Sequence, residues 1–182
     1  MGLLLYVVRS RCQGQEMPVP PDVQSSLFAR ILPFDRTLGK NDKDESVIGV
    51  LFQSKVRGSW TAKDEFMAAV QNLRSAAGGL TLRCVAIEVD NAVDVSQAIS
   101  SNNLAALYVT PLRAVAMETI TTISRNKRVI TLTGVPEYAE KGIAIAIGLR
   151  GERPLIIVNL PAARAEGADL SSQLLKVAKV IQ

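Results

Sequence analysis

Val47-Ile48-Gly49-Val50-Leu51-Phe52 is an uninterrupted apolar run in the first third of the sequence. A run of this kind predicts a strand that is buried on both faces of a sheet. Similar runs follow at 80–89, 104–109 and 129–132, and helical patterns separate them at 59–77, 93–100 and 112–123. Because strands and helices alternate, we expect a three-layer α/β fold, in which helices flank both faces of a mostly parallel sheet.

The C-terminal part departs from this alternation. Residues 143–147 and 155–158 are apolar and are separated by a charged turn around Gly151, which predicts an antiparallel hairpin. A short helix at 161–166 and a closing helix should follow, with Ser171 or Ser172 as the cap of the closing helix. The apolar side of that helix is expected to carry Leu174, Leu175, Ala178 and Ile181.

The N-terminal part divides at about residue 21. The apolar stretch 3–8 is short and is followed by Arg9 and Arg11, so it matches a secretory signal poorly. We interpret residues 1–21 as a signal remnant or an extended N-terminal segment, although the first residues could also derive from cloning. Residues 22–182 are interpreted as one α/β domain, whose first helix is capped by Asp22 and ended early by Pro33.

Composition excludes several classes of enzyme. The 182 residues contain no histidine, which removes Ser-His-Asp and Cys-His nucleophiles and the zinc sites built on imidazole. The net charge of +4 is not gathered into a basic face, so nucleic acid is not an expected partner. We therefore predict no catalytic residues and no cofactor, and a protein that acts by binding.

Two stretches resemble ligand-binding motifs only in part. Gly39-Lys40 lacks the upstream glycine and the following Ser or Thr of a phosphate loop, and it precedes its strand. Asp42, Asp44 and Glu45 lack the spacing and the glycine of a calcium loop, so no metal site is predicted.

Polar side chains follow the predicted parallel strands at their carboxyl ends, where open α/β sheets bind ligands. These side chains are Gln53, Thr110, Arg113, Thr133 and Glu137. An arginine next to a helix that starts at Leu112 could hold an anion, so these residues are our candidate ligand site. The alternative is that the threonines and prolines of these stretches only form turns and helix caps.

Three segments of the C-terminal third are distinctive: the glycine-led hairpin at Gly142-Ile143-Ala144-Ile145, Asn159-Leu160 with Ala162-Ala163-Arg164, and Ser171-Ser172-Gln173-Leu174-Leu175. Together they give the chain a resemblance to the YfiR-like family of periplasmic proteins. The resemblance extends to Leu107-Tyr108-Val109-Thr110 and Thr133-Gly134-Val135-Pro136. At the end of the first helix the sequence departs from the family, because Pro33-Phe34 stands where members commonly have Trp-Pro.

The resemblance implies a periplasmic regulator that is not an enzyme. The best-known members of the family are exported repressors that bind an inner-membrane diguanylate cyclase and hold it inactive, and an outer-membrane lipoprotein can sequester them. The expected partners are thus a membrane-anchored signalling protein and such a lipoprotein, and a homodimer is left open. Cyclic-di-GMP signalling and biofilm formation would be the processes controlled. The alternative is a small-solute binding domain that uses the crevice at the strand ends.

Overall fold

The structure, a computed structural model, describes residues 16–38, 45–76, 81–89, 92–113 and 117–182. The strands are β1 (Glu45–Phe52), β2 (Thr81–Glu88), β3 (Ala106–Val109), β4 (Ile130–Thr133), β5 (Ile145–Arg150), β6 (Arg153–Asn159) and β7 (Lys179–Ile181). The α-helices are α1 (Pro21–Ile31), α2 (Arg57–Ala76), α3 (Ala92–Asn102), α4 (Met117–Lys127), α5 (Leu160–Ala165) and α6 (Ser172–Val177). Short 3-10 turns follow α1 at Leu32–Phe34 and β4 at Pro136–Tyr138.

One mixed sheet organises these elements, in the order β2-β1-β3-β4-β5-β6-β7. The five strands β1 to β5 are parallel, β6 is antiparallel to β5, and β7 is parallel to β6. The prediction of a mostly parallel sheet with a C-terminal antiparallel hairpin and a closing helix is therefore confirmed.

Each face of the sheet has its own core. On the first face, Ile48 and Tyr108 pack with apolar residues of α1, α2 and α6, and the rings of Phe66 and Tyr108 stack with centroids 3.8 Å apart. On the second face, Leu51 and Leu107 pack with apolar residues of α3 and α4. The continuous apolar runs of the central strands are thus explained, because both of their faces are covered.

Three boundaries differ from the sequence-based expectation. Helix α1 begins at Pro21, so Asp22 lies in its first turn and is not the cap. Leu112 and Arg113 are not helical, and the next described helix begins at Met117. The closing helix ends at Val177, after which Ala178 is extended and β7 pairs with β6. The expectation that Ala178 and Ile181 lie on that helix was therefore wrong.

Further sequence-based interpretations concern residues outside the described ranges. These are the apolar stretch 3–8 and the two partial motifs, at Gly39-Lys40 and at Asp42 and Asp44. Glu45, the last member of the second motif, is described and begins β1. The described part of the N-terminal segment, residues 16–20, forms neither helix nor strand, and Val19 is buried in the core of the first face.

Candidate functional site

The candidate crevice lies where β1 and β3 end side by side. The chain passes from β1 to β2 on one side and later returns to place β3 on the other side of β1, so this is the topological switch point of the sheet. In open α/β sheets, the loops diverge at such a point and leave a crevice beyond the strand ends. Gln53 follows β1 directly and Thr110 follows β3 directly.

A chain of hydrogen bonds joins the two strand ends. The hydroxyl groups of Ser59 and Thr110 are 2.6 Å apart, and Ser59 Oγ also accepts from the backbone N–H of Gln53 at 2.8 Å. The Thr110 hydroxyl donates to the Leu51 carbonyl at 2.8 Å. The first turn of α2, which carries Ser59, is thereby fixed to the ends of β1 and β3.

Gln53 connects this chain to Arg113. The side-chain oxygen of Gln53 accepts the backbone N–H of Arg113 at 2.6 Å, while the Arg113 side chain is exposed. Gln53, Thr110 and Arg113 therefore lie together, because β1 and β3, which precede them, are neighbours in the sheet. The backbone of the preceding residue, Leu112, is held by Tyr138, whose hydroxyl accepts its N–H at 3.0 Å and lies 3.3 Å from its carbonyl oxygen.

Thr133 and Glu137 occupy the adjoining part of the same edge. Thr133 pairs with Val109 in the register of β3 and β4, so Thr110 and Thr133 are at the same edge of the sheet. The Thr133 hydroxyl is buried, donates to the Val109 carbonyl at 2.8 Å and accepts the N–H of Val135 at 3.1 Å. Glu137 lies exposed on the Pro136–Tyr138 turn. Thr110 and Thr133 thus make hydrogen bonds to their own chain, and Arg113 and Glu137 are the members with exposed charges.

Sequence reasoning missed an aromatic cluster beside the crevice. Trp60, in the first turn of α2, is 44% exposed and packs edge-to-face on Phe52, with ring centroids 5.6 Å apart. The ammonium group of the buried Lys63 lies 3.9 Å from the centroid of Trp60 and also contacts Asp64. The signal that could have revealed it is a Trp eight residues after the end of an apolar strand, at the start of the following helix.

A buried amide of α1 lies close to the end of β4. Gln24 donates to the Val19 carbonyl at 2.6 Å and accepts from the hydroxyl of Tyr108 at 2.7 Å. A Cβ at Gly134 would overlap this amide, so the close approach of α1 to the end of β4 requires glycine there. Burial raises the pKa of the Tyr108 hydroxyl, which stays neutral and acts only as a hydrogen-bond donor.

A buried carboxyl group at the opposite end of the sheet was also missed. Glu166, 1% exposed, accepts from the hydroxyl groups of Ser124 and Thr131 at 2.7 and 2.8 Å and from the N–H of Thr131 at 2.8 Å. Burial raises the pKa of Glu166 to about 7 despite these donors. An open groove of about 750 Å³ lies nearby between α4 and α5, and Thr121, Arg125 and Lys141 are among its lining residues.

Among the residues that the structure describes, no cluster of three or more His, Cys, Asp or Glu side chains could hold a metal ion. No described helix is both long and apolar enough to cross a membrane. The thiol of Cys84 has its pKa raised to about 12 by burial, so it is a poor nucleophile at neutral pH.

Solved structures with a similar fold include one determined in complex with L-Trp and one of a substrate binding protein. The ABC domain in complex with L-Trp from Streptococcus pneumonia has a TM-score of 0.66 at 16% identity over 89% of this chain. The substrate binding protein CD0873 with adhesive properties from Clostridium difficile, in a ligand-free open form, has a TM-score of 0.61 at 19% identity over 90% of this chain. A conserved domain protein from Vibrio cholerae has a TM-score of 0.64 at 13% identity over 90% of this chain. At these identities the likeness concerns the fold alone.

This chain spans 62%, 60% and 60% of the lengths of those three chains, in the order given. Among curated proteins, none matches the sequence significantly. A family model described as YfiR/HmsC-like matches residues 45–179, which is most of the sequence and extends from β1 into β7.

Proposed function

From the membership of this chain in the YfiR/HmsC-like family, we propose that it is a periplasmic, non-enzymatic regulator that binds and restrains a membrane-anchored signalling protein. The proposal specifies a diguanylate cyclase as the protein restrained, and cyclic-di-GMP and biofilm formation as the output. Sequestration by an outer-membrane lipoprotein and a homodimeric state belong to the same proposal. The family match over residues 45–179 is the single observation that carries it.

The described polar groups support a role in binding rather than in chemistry. The hydroxyl groups of Thr110 and Thr133 donate hydrogen bonds to backbone carbonyls. The Glu166 carboxyl group accepts hydrogen bonds from Ser124 and Thr131. A general acid or base needs access to a substrate proton, and Glu166, although its pKa is close to neutral, is 1% exposed. The hydrogen bonds of Thr110, Thr133 and Glu166 therefore stabilise the folded structure.

Deletion of the gene in its native host tests this function. We expect cyclic-di-GMP and biofilm to rise in the deletion strain and to return to the original level when the wild-type gene is restored. Unchanged cyclic-di-GMP in the deletion strain, under conditions in which the protein is made, would contradict the role as a repressor of a cyclase.

Cell fractionation tests the proposed compartment. The full gene, expressed in its host, should yield a protein in the periplasmic fraction that has lost its first residues. Recovery only from the cytosol, with Met1 intact, would contradict both the export and the repressor role.

A second candidate function is favoured by the switch point itself. Gln53, Thr110 and Arg113 lie together beside the start of α2, and the exposed Trp60 lies in the first turn of that helix. As the second candidate we propose a small solute whose carboxylate binds Arg113 and whose apolar body contacts Trp60. Because a fold relative was solved with L-Trp, L-tryptophan is the first probe to use.

Thermal denaturation with and without L-tryptophan distinguishes the two candidates. A ligand present at one hundred times its dissociation constant adds about 2.7 kcal/mol to the free energy of unfolding. The solute function predicts that this gain is present in the wild type and absent in R113A. No gain at millimolar L-tryptophan, or an equal gain in R113A, would contradict the assignment of this crevice to such a solute.

A further inference from the structure

The helical cover on the second face of the sheet stops before the last strands. Helix α3 lies over β1 and β2, and α4 lies over β4. Over β5 the described cover is the Pro136–Tyr138 turn, where Pro136 approaches Gly148. The closing helix α6 lies on the first face, since Leu174 belongs to the core there. Helix α5, which directly follows β6, also contacts β6 and β7, and its Ala163 belongs to the core of the first face. In the described chain, the helices α3 and α4 of the second face thus lie over β1, β2 and β4, and not over β6 and β7.

The centre of this face is apolar. Ile157 packs with Ala139 and Ala146 in a small cluster that is separate from both main cores, and Leu155 and Ile181 pack against its margin. Leu155 and Ile181 are only half-buried. We call the set formed by Arg150, Arg153, Leu155, Ile157, Lys179 and Ile181 the β6–β7 face.

The rim of the β6–β7 face is basic. Arg150 and Arg153 are directly opposite each other in the antiparallel register of β5 and β6, and both are exposed. Since alternate residues of a strand share a face, they lie on the side of Leu155 and Ile157, as does Lys179, the partner of Ile157 in β7. Like charges in directly opposed positions destabilise a hairpin.

These cations have no acidic partner in the described chain. Its ion pairs join Arg36 to Asp169 and Lys63 to Asp64, and both pairs lie elsewhere. Glu152, in the turn between the two arginines, makes no ion pair with Arg150 or Arg153. The repulsion between Arg150 and Arg153 is therefore uncompensated, and carboxylates from another molecule would relieve it.

We propose that the β6–β7 face is a docking surface for an acidic segment of another protein, with carboxylates on Arg150 and Arg153 and an apolar side chain on Leu155 and Ile181. The proposal rests on the proposed function, because it assigns this surface to the contact with the signalling protein. The planar guanidinium groups suit bidentate carboxylates. A membrane surface fits less well, because the apolar side chains here are half-buried and only three cations surround them.

Site-specific photo-cross-linking in the native host tests this surface. The photoreactive residue p-benzoylphenylalanine replaces Leu155, and in a matched control it replaces Asn72, which is exposed on α2 on the other face. We expect a protein adduct from position 155 and not from position 72. Mass spectrometry should identify an acidic segment at the attachment point.

Charge substitutions decide whether the arginines recognise that partner. R150E places a glutamate opposite Arg153, which should stabilise the hairpin, and yet it should reduce the adduct about tenfold. Loss of the adduct from a variant whose thermal midpoint is unchanged or raised cannot result from unfolding. A control reversal of Arg30, exposed on α1, should leave the adduct intact.

The other outcomes separate the docking surface from the proposed function. An adduct with a protein that has no signalling domain would leave the surface standing and overturn the regulatory role. A signalling protein cross-linked from position 72 and not from position 155 would overturn the docking surface and leave the regulatory role standing. The docking proposal is overturned if position 155 yields no protein adduct, yields only lipid, or yields an adduct that R150E does not weaken.

Discussion

Burial and hydrogen bonding act in opposite directions on Glu166. Three donors from Ser124 and Thr131 favour the carboxylate, whereas removal from water favours the neutral acid. Burial dominates, so the pKa of the group is raised to about 7. The hydrogen bonds can adapt to either form, because the Ser124 hydroxyl also lies 3.0 Å from the Thr121 carbonyl and can turn its proton there when Glu166 is protonated.

A pH-dependent stability follows from this residue. Below pH 4.5 the carboxyl is protonated in both states, and between about pH 4.5 and 7 the unfolded chain releases the proton that the folded chain keeps. The free energy of unfolding should therefore fall as the pH rises through this window, by at most about 3 kcal/mol. In E166Q, which mimics the neutral acid, urea denaturation should show a much smaller fall. An equal fall in E166Q would assign the effect to other groups.

The closing helix should depend on one leucine more than on its neighbour. Leu174 is 2% exposed in the core of the first face, while Leu175 is half-buried. Leu174→Ala should lower the free energy of unfolding by about 2–5 kcal/mol through the cavity it leaves. Leu175→Ala should cost clearly less, and denaturant titration of the two variants would reveal an inverted order if α6 were packed differently.

At this scale, the sequence could predict residue type but not tertiary environment. Glu166 follows a short helix in the sequence and reads as a solvated end of that helix; only the packing of α5 against α4 and β4 brings Ser124 and Thr131 to it. Thr110 and Arg113 could be predicted as neighbours of Gln53, because residues after parallel strands meet at one edge. The sequence could not predict that the side-chain oxygen of Gln53 accepts a hydrogen bond from the backbone N–H of Arg113.

At the scale of elements, strands buried on both faces were the easiest to predict. The run 47–52 lies within β1, and the run 143–147 overlaps β5, because continuous apolar sequence suits the centre of a sheet. The strand β7 was missed since Val180 and Ile181 also continue the helical spacing of α6. These residues are extended and not helical because they pair with β6, and that pairing depends on tertiary structure.

The same substitution in two elements should have opposite effects. Gly151 forms the hairpin turn with φ of +62°, so G151A should cost about 1 kcal/mol through strain in the left-handed conformation. Gly58 lies in the first turn of α2, where a Cβ would meet no atom within 4 Å. G58A should therefore stabilise the protein by a few tenths up to about 1 kcal/mol.

Thermal denaturation of both glycine variants gives the comparison. A higher midpoint for G58A and a lower one for G151A are expected. A destabilised G58A would mean that the first turn of α2 is not helical at this residue, and would weaken its use as one wall of the crevice.

At the scale of the whole molecule, the site at the β1–β3 switch point and the β6–β7 face differ in how they are built. At the β1–β3 switch point the crevice is built from loops fixed by Ser59, Thr110 and Gln53. At the other side, β6 and β7 present a sheet face with an apolar centre and opposed arginines. The sequence predicted the crevice, because position in a parallel sheet follows from topology, but the second surface depends on which helices cover which strands.

The most direct test of the central claim is cyclase activity in the presence of the purified protein. Inner membranes of the deletion strain, solubilised in detergent so that both sides are accessible, are supplied with GTP, and the formation of cyclic-di-GMP is measured. The wild-type protein is predicted to lower the rate in a saturable manner, and the R150E variant to require about tenfold more protein for the same effect. A rate that does not change at any concentration of the folded wild-type protein would contradict the claim that this chain restrains a membrane cyclase.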